Sequence, residues 1–244
     1  MGRVSQISPN PTGQQCPTRA GETDTFSAFE CNQAQAAAYC ASRGINWRLP
    51  TMRELVSLVD WTAYSPSSKP ARAAIRLVSF PGTPATDFWT STRDASDPGQ
   101  AWSVHFFNGS TGAAPVTRPH RVRCVSPSAT PRCYSRRYQV RTAGEISDAA
   151  TGLTWEQATN ALRWNDATTP CPDGWRLPSL TELQTIVDDR TKCPTIDPIF
   201  AGTPASFFWT ASSSPEGHWY VDFALGGIHG PADSNQMYQV RCVR

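Results

Sequence analysis

Three residue classes in this 244-residue chain have the types and spacing to do chemistry: eight cysteines, four histidines and an excess of arginine. The cysteines are Cys16, Cys31, Cys40, Cys124, Cys133, Cys171, Cys193 and Cys242. They are even in number and nowhere form a CxxC pair, which points to disulfides rather than zinc and places the chain outside a reducing cytosol. His105, His120, His218 and His229 never fall at metal-ligand spacing, and no Gly-x-Ser-x-Gly or Cys/His arrangement accompanies them. His105 lies on the polar side of an alternating segment and reads as a solvated or hydrogen-bonded group. Asp94 and Asp97 share a loop without a dense oxygen cluster around them. The expectation is therefore no catalytic residue, no metal, no cofactor and no enzyme.

Arginine outnumbers lysine by 20 to 2. Its planar fork suits bidentate contact with carboxylate, phosphate or sulfate. Arg118, Arg121, Arg123, Arg136 and Arg137 lie close in sequence, joined by His120, Arg132 and Arg141. They are expected to form a basic face able to hold an acidic ligand. A second candidate surface is the set of loops at residues 91–101, 108–119, 211–218 and 225–237, rich in Ser, Gly, Asn and Asp. A net charge of +2 gives no argument for nucleic acid. No apolar run reaches 18 residues, so no membrane span is expected. Met1-Gly2-Arg3-Val4 opens no signal peptide, and the expectation is that a signal or upstream region is missing.

The element that must position these groups occurs twice. Trp47-Arg48-Leu49-Pro50-Thr51-Met52-Arg53-Glu54-Leu55 returns as Trp175-Arg176-Leu177-Pro178-Ser179-Leu180-Thr181-Glu182-Leu183. Each copy writes a strand end, a proline stop and a helix start. Thr51 with Glu54, and Ser179 with Glu182, have the spacing of capping boxes. Met52, Leu55, Val56 and Val59, then Leu180, Leu183, Ile186 and Val187, follow as apolar helical stripes. Those helices are expected to end near Asp60 and Asp188. Trp47 and Trp175 read as core anchors.

The copies realign at Phe80-Pro81-Gly82-Thr83-Pro84 and Phe200-Ala201-Gly202-Thr203-Pro204, then at Phe88-Trp89-Thr90 and Phe208-Trp209-Thr210. Residues 101–106 and 218–223 alternate with period 2, which predicts strands with Trp102, Val104 and Phe106, and Trp219, Val221 and Phe223, facing inward. In the closing strands Val122, Cys124, Val240 and Cys242 are expected inward and the arginines outward. Helices are predicted from Asn32 to Ala41 and, shorter, from Asn165 to Cys171. The second copy opens with a hairpin turning at Asp148–Gly152, which the first copy has shortened or lost.

The organisation read from this is α+β. A flexible arm at 1–15 precedes a domain at 16–126, a proline-containing linker at 127–131 and a domain at 132–244. Each domain is two helices plus an antiparallel meander. Cys40 and Cys124 sit at places matching Cys171 and Cys242, which pairs them as Cys40–Cys124 and Cys171–Cys242. The other four allow three connectivities. Cys16–Cys31 with Cys133–Cys193 keeps each bridge inside one domain.

The Thr-Gly-Leu-Thr-Trp turn (151–155), the repeated Trp-Arg-Leu-Pro stretch, Phe-Trp-Thr, Trp-x-Val-x-Phe and Val-Arg-Cys-Val resemble a bacterial family named after the C-terminal domain of the Legionella collagen-like adhesin. The resemblance implies tandem, disulfide-stapled domains similar to the C-type-lectin fold, in the variant shared with formylglycine-generating enzymes. It also implies an extracellular, cell-surface or periplasmic binding or adhesion module, in one relative recognising sulfated polysaccharides. The expected partner is a polysaccharide or surface protein. Trp164-Asn165-Asp166 has the letters of a lectin calcium site but stands before the Trp-Arg-Leu-Pro stretch, where Asn165 and Asp166 read as helix caps. Two other readings stand beside adhesion: a subunit of a surface fibre assembling with others, and the variable binding protein of a diversity-generating system.

Overall fold

The computed structural model describes residues 3–4, 30–63, 73–126, 137–141, 144–164, 171–214 and 216–244. The chain divides into two compact units, Met1–Pro131 and Arg132–Arg244. The first holds β1 (Arg3–Val4), β2 (Glu30–Cys31), α1 (Gln33–Ser42), α2 (Met52–Val56), a 3-10 turn (Trp61–Ala63), β3 (Asp87–Arg93), β4 (Gln100–His105), β5 (Thr111–Pro115), β6 (His120–Arg121) and β7 (Val125–Ser126). The second holds β8 (Tyr138–Val140), β9 (Glu145–Asp148), β10 (Thr154–Glu156), β11 (Asn160–Arg163), α3 (Leu180–Gln184), β12 (Phe207–Ser214), β13 (Gly217–Asp222), β14 (Ile228–Ala232) and β15 (Met237–Val240).

Each unit is built on a five-stranded sheet, and the orders correspond: β2-β6-β3-β4-β5 and β11-β15-β12-β13-β14. The expected antiparallel meander covers β3-β4-β5 and β12-β13-β14. The closing strand instead crosses back and runs parallel beside β3 or β12. The predicted hairpin is present as β9 and β10, with β8 added to form a three-stranded sheet. The Asp148 carboxylate accepts from the Ala150 amide and the Thr151 hydroxyl, and Gly152 follows with φ 79°. In the first unit β1 pairs Val4 with Val125, much as Trp155 bridges Val243 in the second. Of the helix expected from Asn165 to Cys171, only Cys171 is among the described residues, and it is a bend; Asn165, Asp166 and the linker lie outside them.

The organising stretch is an architectural device. Thr51 and Ser179 accept from the Glu54 and Glu182 amides, and those glutamates reach back to the cap amides at 2.8 Å. Arg48 and Arg176 complete it, each gripping its glutamate with two nitrogens. The Arg176 pair outweighs burial and holds the Glu182 carboxyl down at about 2. The helices behind the caps are shorter than the stripes predict: Val59 and Val187 leave the helix to bridge Ile75 and Ile196. All eight stripe residues are nevertheless buried. Trp47 and Trp175 are half-buried rather than central, each covered by an arginine, Arg43 and Arg244.

The middle of each sheet is buried on both faces. Phe88 and Trp89 point oppositely and both are fully buried, as are Phe208 and Trp209. This overturns the outward placement of Arg121 and Arg123. They do point away from Val122 and Cys124, but that side is packed too. Arg123 lies over the Phe80 and Phe88 rings and donates to Thr83 at 2.7 Å, and burial pushes its pKa down to about 10. Arg241 repeats this with Phe200 and Thr203. The Phe-x-Gly-Thr-Pro segments are arginine cages.

Two disulfides tie the sheets to the segments covering them, Cys40–Cys124 and Cys171–Cys242. Cys31 is disulfide-bonded, and Cys16 and Cys133 lie outside the described residues. Cys193 is an exposed free thiol, which corrects the expected Cys133–Cys193 bridge. Its amide and its sulfur both face the Ala224 carbonyl, at 3.2 and 3.7 Å, so the thiol is held against the β13–β14 loop.

Candidate functional site

The basic face does not assemble as expected. Arg118 is exposed, Arg121 and Arg123 are only 3% exposed, and Arg136 lies outside the described residues. Arg137 is committed inside its own unit: it grips Asp148 with two nitrogens and donates to the Thr185 carbonyl at 2.6 Å. Burial pushes the Asp148 carboxyl up, but Arg137 and the Ala150 amide outweigh it and hold it below the usual range. The arginines serve cores and turns because a buried guanidinium can satisfy several carbonyls at once.

A different surface stands out on the second unit's sheet, on the side of Trp209. Strand alternation brings Phe207 and Trp209 of β12, His218 and Tyr220 of β13, His229 of β14 and Tyr238 of β15 to one face. Their rings form one contiguous network. Phe207, Tyr220 and Tyr238 make a triangle with centroids 5.1, 4.8 and 5.2 Å apart. His229 stacks on Tyr220 at 5.7 Å, and Trp209 forms the floor 4.4 Å from Tyr238. Beyond Trp209, Trp164 stacks on His218 at 3.6 Å and 18°. Trp164 then walls a cleft of about 390 Å³ shared with Arg176, Leu177, Ser179 and Ala211.

The network is anchored below and open above. Trp209 is fully buried and its indole N–H donates to the Leu162 carbonyl at 2.9 Å. Phe207 is 38% exposed, and Tyr220, His229, Tyr238, His218 and Trp164 are partly exposed. The Tyr220 and Tyr238 rings pack against each other; burial and the neighbouring Tyr238 and Asp222 push Tyr220 up to about 12. Burial pushes His218 down, favouring a neutral ring against Trp164. A rigid apolar platform with uncharged hydroxyl donors is the result.

The first unit provides an internal comparison, because its registers match. Trp209 pairs with Tyr220 and Tyr220 with His229, where Trp89 pairs with Ser103 and Ser103 with Gly112. Phe207 pairs with Asp222 as Asp87 pairs with His105. The tryptophan N–H that meets Leu162 in one unit meets Cys31 in the other, which sets Trp164 beside Gln33. Read across, Phe207, Tyr220, His229, His218 and Trp164 stand where the first unit has Asp87, Ser103, Gly112, Ala101 and Gln33. Gln33 is buried and donates to the Thr90 carbonyl at 3.0 Å, filling its place with a structural hydrogen bond.

The polar counterpart in the first unit is a small ionisable group. Asp87 contacts His105 through a short hydrogen bond and stands 3.7 Å from His120. His120 packs edge-on to Trp89, and burial pushes it down to about 4. No set of three acidic, histidine or cysteine side chains arranged to hold a metal ion occurs among the described residues.

These two units, each carrying the capped helix, the Phe-Trp-Thr strand and the terminal Arg-Cys-Val, match a known family. The family model described as the Lcl C-terminal domain fits residues 12–126 and again 144–244. The chain belongs to that family. It is a tandem Lcl C-terminal domain protein in which one copy carries an aromatic sheet face and the other a polar one. No curated protein matches the sequence. No helix among the described residues is long and apolar enough to cross a membrane.

The nominated loops contain part of this site, since His218 and His229 fall within 211–218 and 225–237. Much of those ranges is strand, however: 211–214 belong to β12 and 228–232 to β14. The signal that could have found the face was available in the repeat. Aromatic residues in the second copy replace small or polar ones at positions read only as the outward half of an alternating strand.

Proposed function

We propose that this chain is an extracellular, cell-surface or periplasmic binding and adhesion module whose second unit takes a saccharide or surface partner on its aromatic face. Each unit is read as a C-type-lectin-like domain. The observation that carries the proposal is the contrast between copies at equivalent positions. A scaffold needing only a packed sheet manages with Asp87, Ser103 and Gly112; Phe207, Tyr220 and His229 add partly exposed rings that the fold does not require. Large amphipathic rings with a dry body and a polar tip are the side chains most used for recognition. The disulfides support a location outside the reducing cytosol. The first unit, lacking the rings, is read as a scaffold for the second.

The test is an array of immobilised polysaccharides and surface proteins probed with the full chain and with the double variant Tyr220→Ala/Tyr238→Ala. The expected result is retention of the wild type on a defined ligand set and loss in the variant. Equal retention of a variant with an unchanged melting temperature would move the function off this face.

A further inference from the structure

We infer that the ligand of the aromatic face is a neutral saccharide built of pyranose rings with equatorial substituents, and not an acidic polysaccharide. The inference rests on the reading of this face as the binding site and names the class of ligand it takes.

Charge is the first argument. Among the described residues no arginine guanidinium lies over Phe207, Trp209, Tyr220 or Tyr238, whereas Phe80, Phe88, Trp47, Phe200, Tyr138 and Trp175 each carry one. The arginine that borders this surface, Arg176 in the cleft beside Trp164, is held by Glu182 through two hydrogen bonds. Asp222, paired with Phe207 across β12 and β13 and buried, is the charge that acts on Tyr220. A sulfated or carboxylated chain would meet no guanidinium over these rings and one carboxylate beside them, where unpaired charge is costly once water is displaced.

Ring geometry is the second. The Phe207–Tyr220–Tyr238 triangle, about 5 Å on each side, is the size of one or two sugar rings. A pyranose whose hydroxyls are all equatorial presents its axial C–H bonds as an unbroken apolar face. Such C–H groups are weakly positive and pack on the negative face of an aromatic ring. Its hydroxyls then point sideways, away from the ring faces and free to hydrogen-bond.

Area is the third. The exposed parts of Phe207, Tyr220, His229 and Tyr238 offer on the order of 200 Å², whereas a stable protein partner needs roughly 800 Å² per side. The patch suits a short stretch of glycan better than a second protein surface. The neighbouring cleft of about 390 Å³ lies within the size range of small-ligand pockets.

The experiment is calorimetric titration of the full chain with cellohexaose and xylohexaose as neutral probes and heparin as the acidic one, at low and high salt. Phe207→Asp places in the second unit the residue the first already tolerates at the matching strand position, so the fold should survive it. The expected result is binding of a neutral oligosaccharide that is insensitive to salt and weakened at least roughly tenfold by Phe207→Asp, a loss of about 1.4 kcal/mol. Salt-sensitive binding of heparin alone, weakened by Tyr220→Ala, would overturn the neutral class while leaving this face as the site. Failure of every saccharide, or self-association abolished by Phe207→Asp, would overturn the saccharide reading itself.

Discussion

Arg241 and Arg123 occupy the same place in their two sheets, and each donates to the threonine of its unit's Phe-x-Gly-Thr-Pro segment, Thr203 at 2.5 Å and Thr83 at 2.7 Å. Arg241 also gives hydrogen bonds to the Glu156 and Gln157 carbonyls at 2.7 and 3.0 Å, tying the end of β10 to the closing strand. Replacing it with Met should strand these acceptors. Each buried unsatisfied group costs about 1–3 kcal/mol, and a total on the order of 3 kcal/mol is expected in urea unfolding. Arg241→Lys should recover less than half of that, because one ammonium nitrogen cannot stand where the two guanidinium nitrogens stand, one on the Glu156 and Gln157 carbonyls and one on Thr203. Wild-type unfolding in both variants would show that Arg241 is not the tie described.

The capping boxes predict a smaller effect. Ser179→Ala should cost about 1 kcal/mol, typical of a lost N-cap. The Glu182 carboxyl, held at about 2 by Arg176, contributes stability above its unfolded value near 4.5. That contribution declines as pH falls through about 4.5 toward 2, and Glu182→Gln should flatten this acid limb. Because the pair is partly exposed and screened, the change should be modest.

His120 titrates with the opposite ionic logic. Burial lowers it to about 4 from an ordinary value of 6.5. The unfolded chain therefore binds the extra proton first, and stability falls as pH drops from about 6.5 to about 4. Tyr238 holds the matching place in the second unit and does not titrate there, so His120→Tyr should remove this slope. The readout is melting temperature at pH 7 and pH 4.5. Each kcal/mol moves a domain of this size by about 4–8 °C, so the loss of slope is measurable. Parallel curves for wild type and variant would contradict it.

The cysteines predict two observations in one experiment. Peptide mapping without reductant should find Cys40–Cys124 and Cys171–Cys242, with Cys193 accessible to maleimide. Removing either bridge should cost at most about 4.5 kcal/mol, the chain-entropy figure for loops of this length. A Cys193 found oxidised in the native protein would reverse the assignment.

The two copies, their capped helices and the Cys40 and Cys171 pairings were legible because each rests on local chemistry repeated at a fixed offset. Thr51 and Glu54 can be read as a cap without knowing what surrounds them. Arg121 and Arg123 could not be read this way. Alternation correctly sets them opposite Val122 and Cys124, but period 2 says nothing about whether the second face meets water or the Phe80 segment. The same ambiguity hid the site. Tyr220 and Phe207 alternate with buried residues just as Ser103 and Asp87 do, and only the register linking β12, β13 and β15 gathers the rings. Keeping each bridge inside one domain pairs Cys193 with Cys133, whereas its position is set by the Ala224 carbonyl.

The most direct measurement of the central claim is an aromatic ¹H–¹³C correlation spectrum of the full chain, titrated with the oligosaccharide that binds it. Binding on the proposed face should shift the ring signals of Phe207, Tyr220 and Tyr238 first, with Trp209 beneath them following and Trp89 of the first unit unmoved. Shifts centred on Trp89, Trp102 or Phe107 with those three rings still would contradict the account.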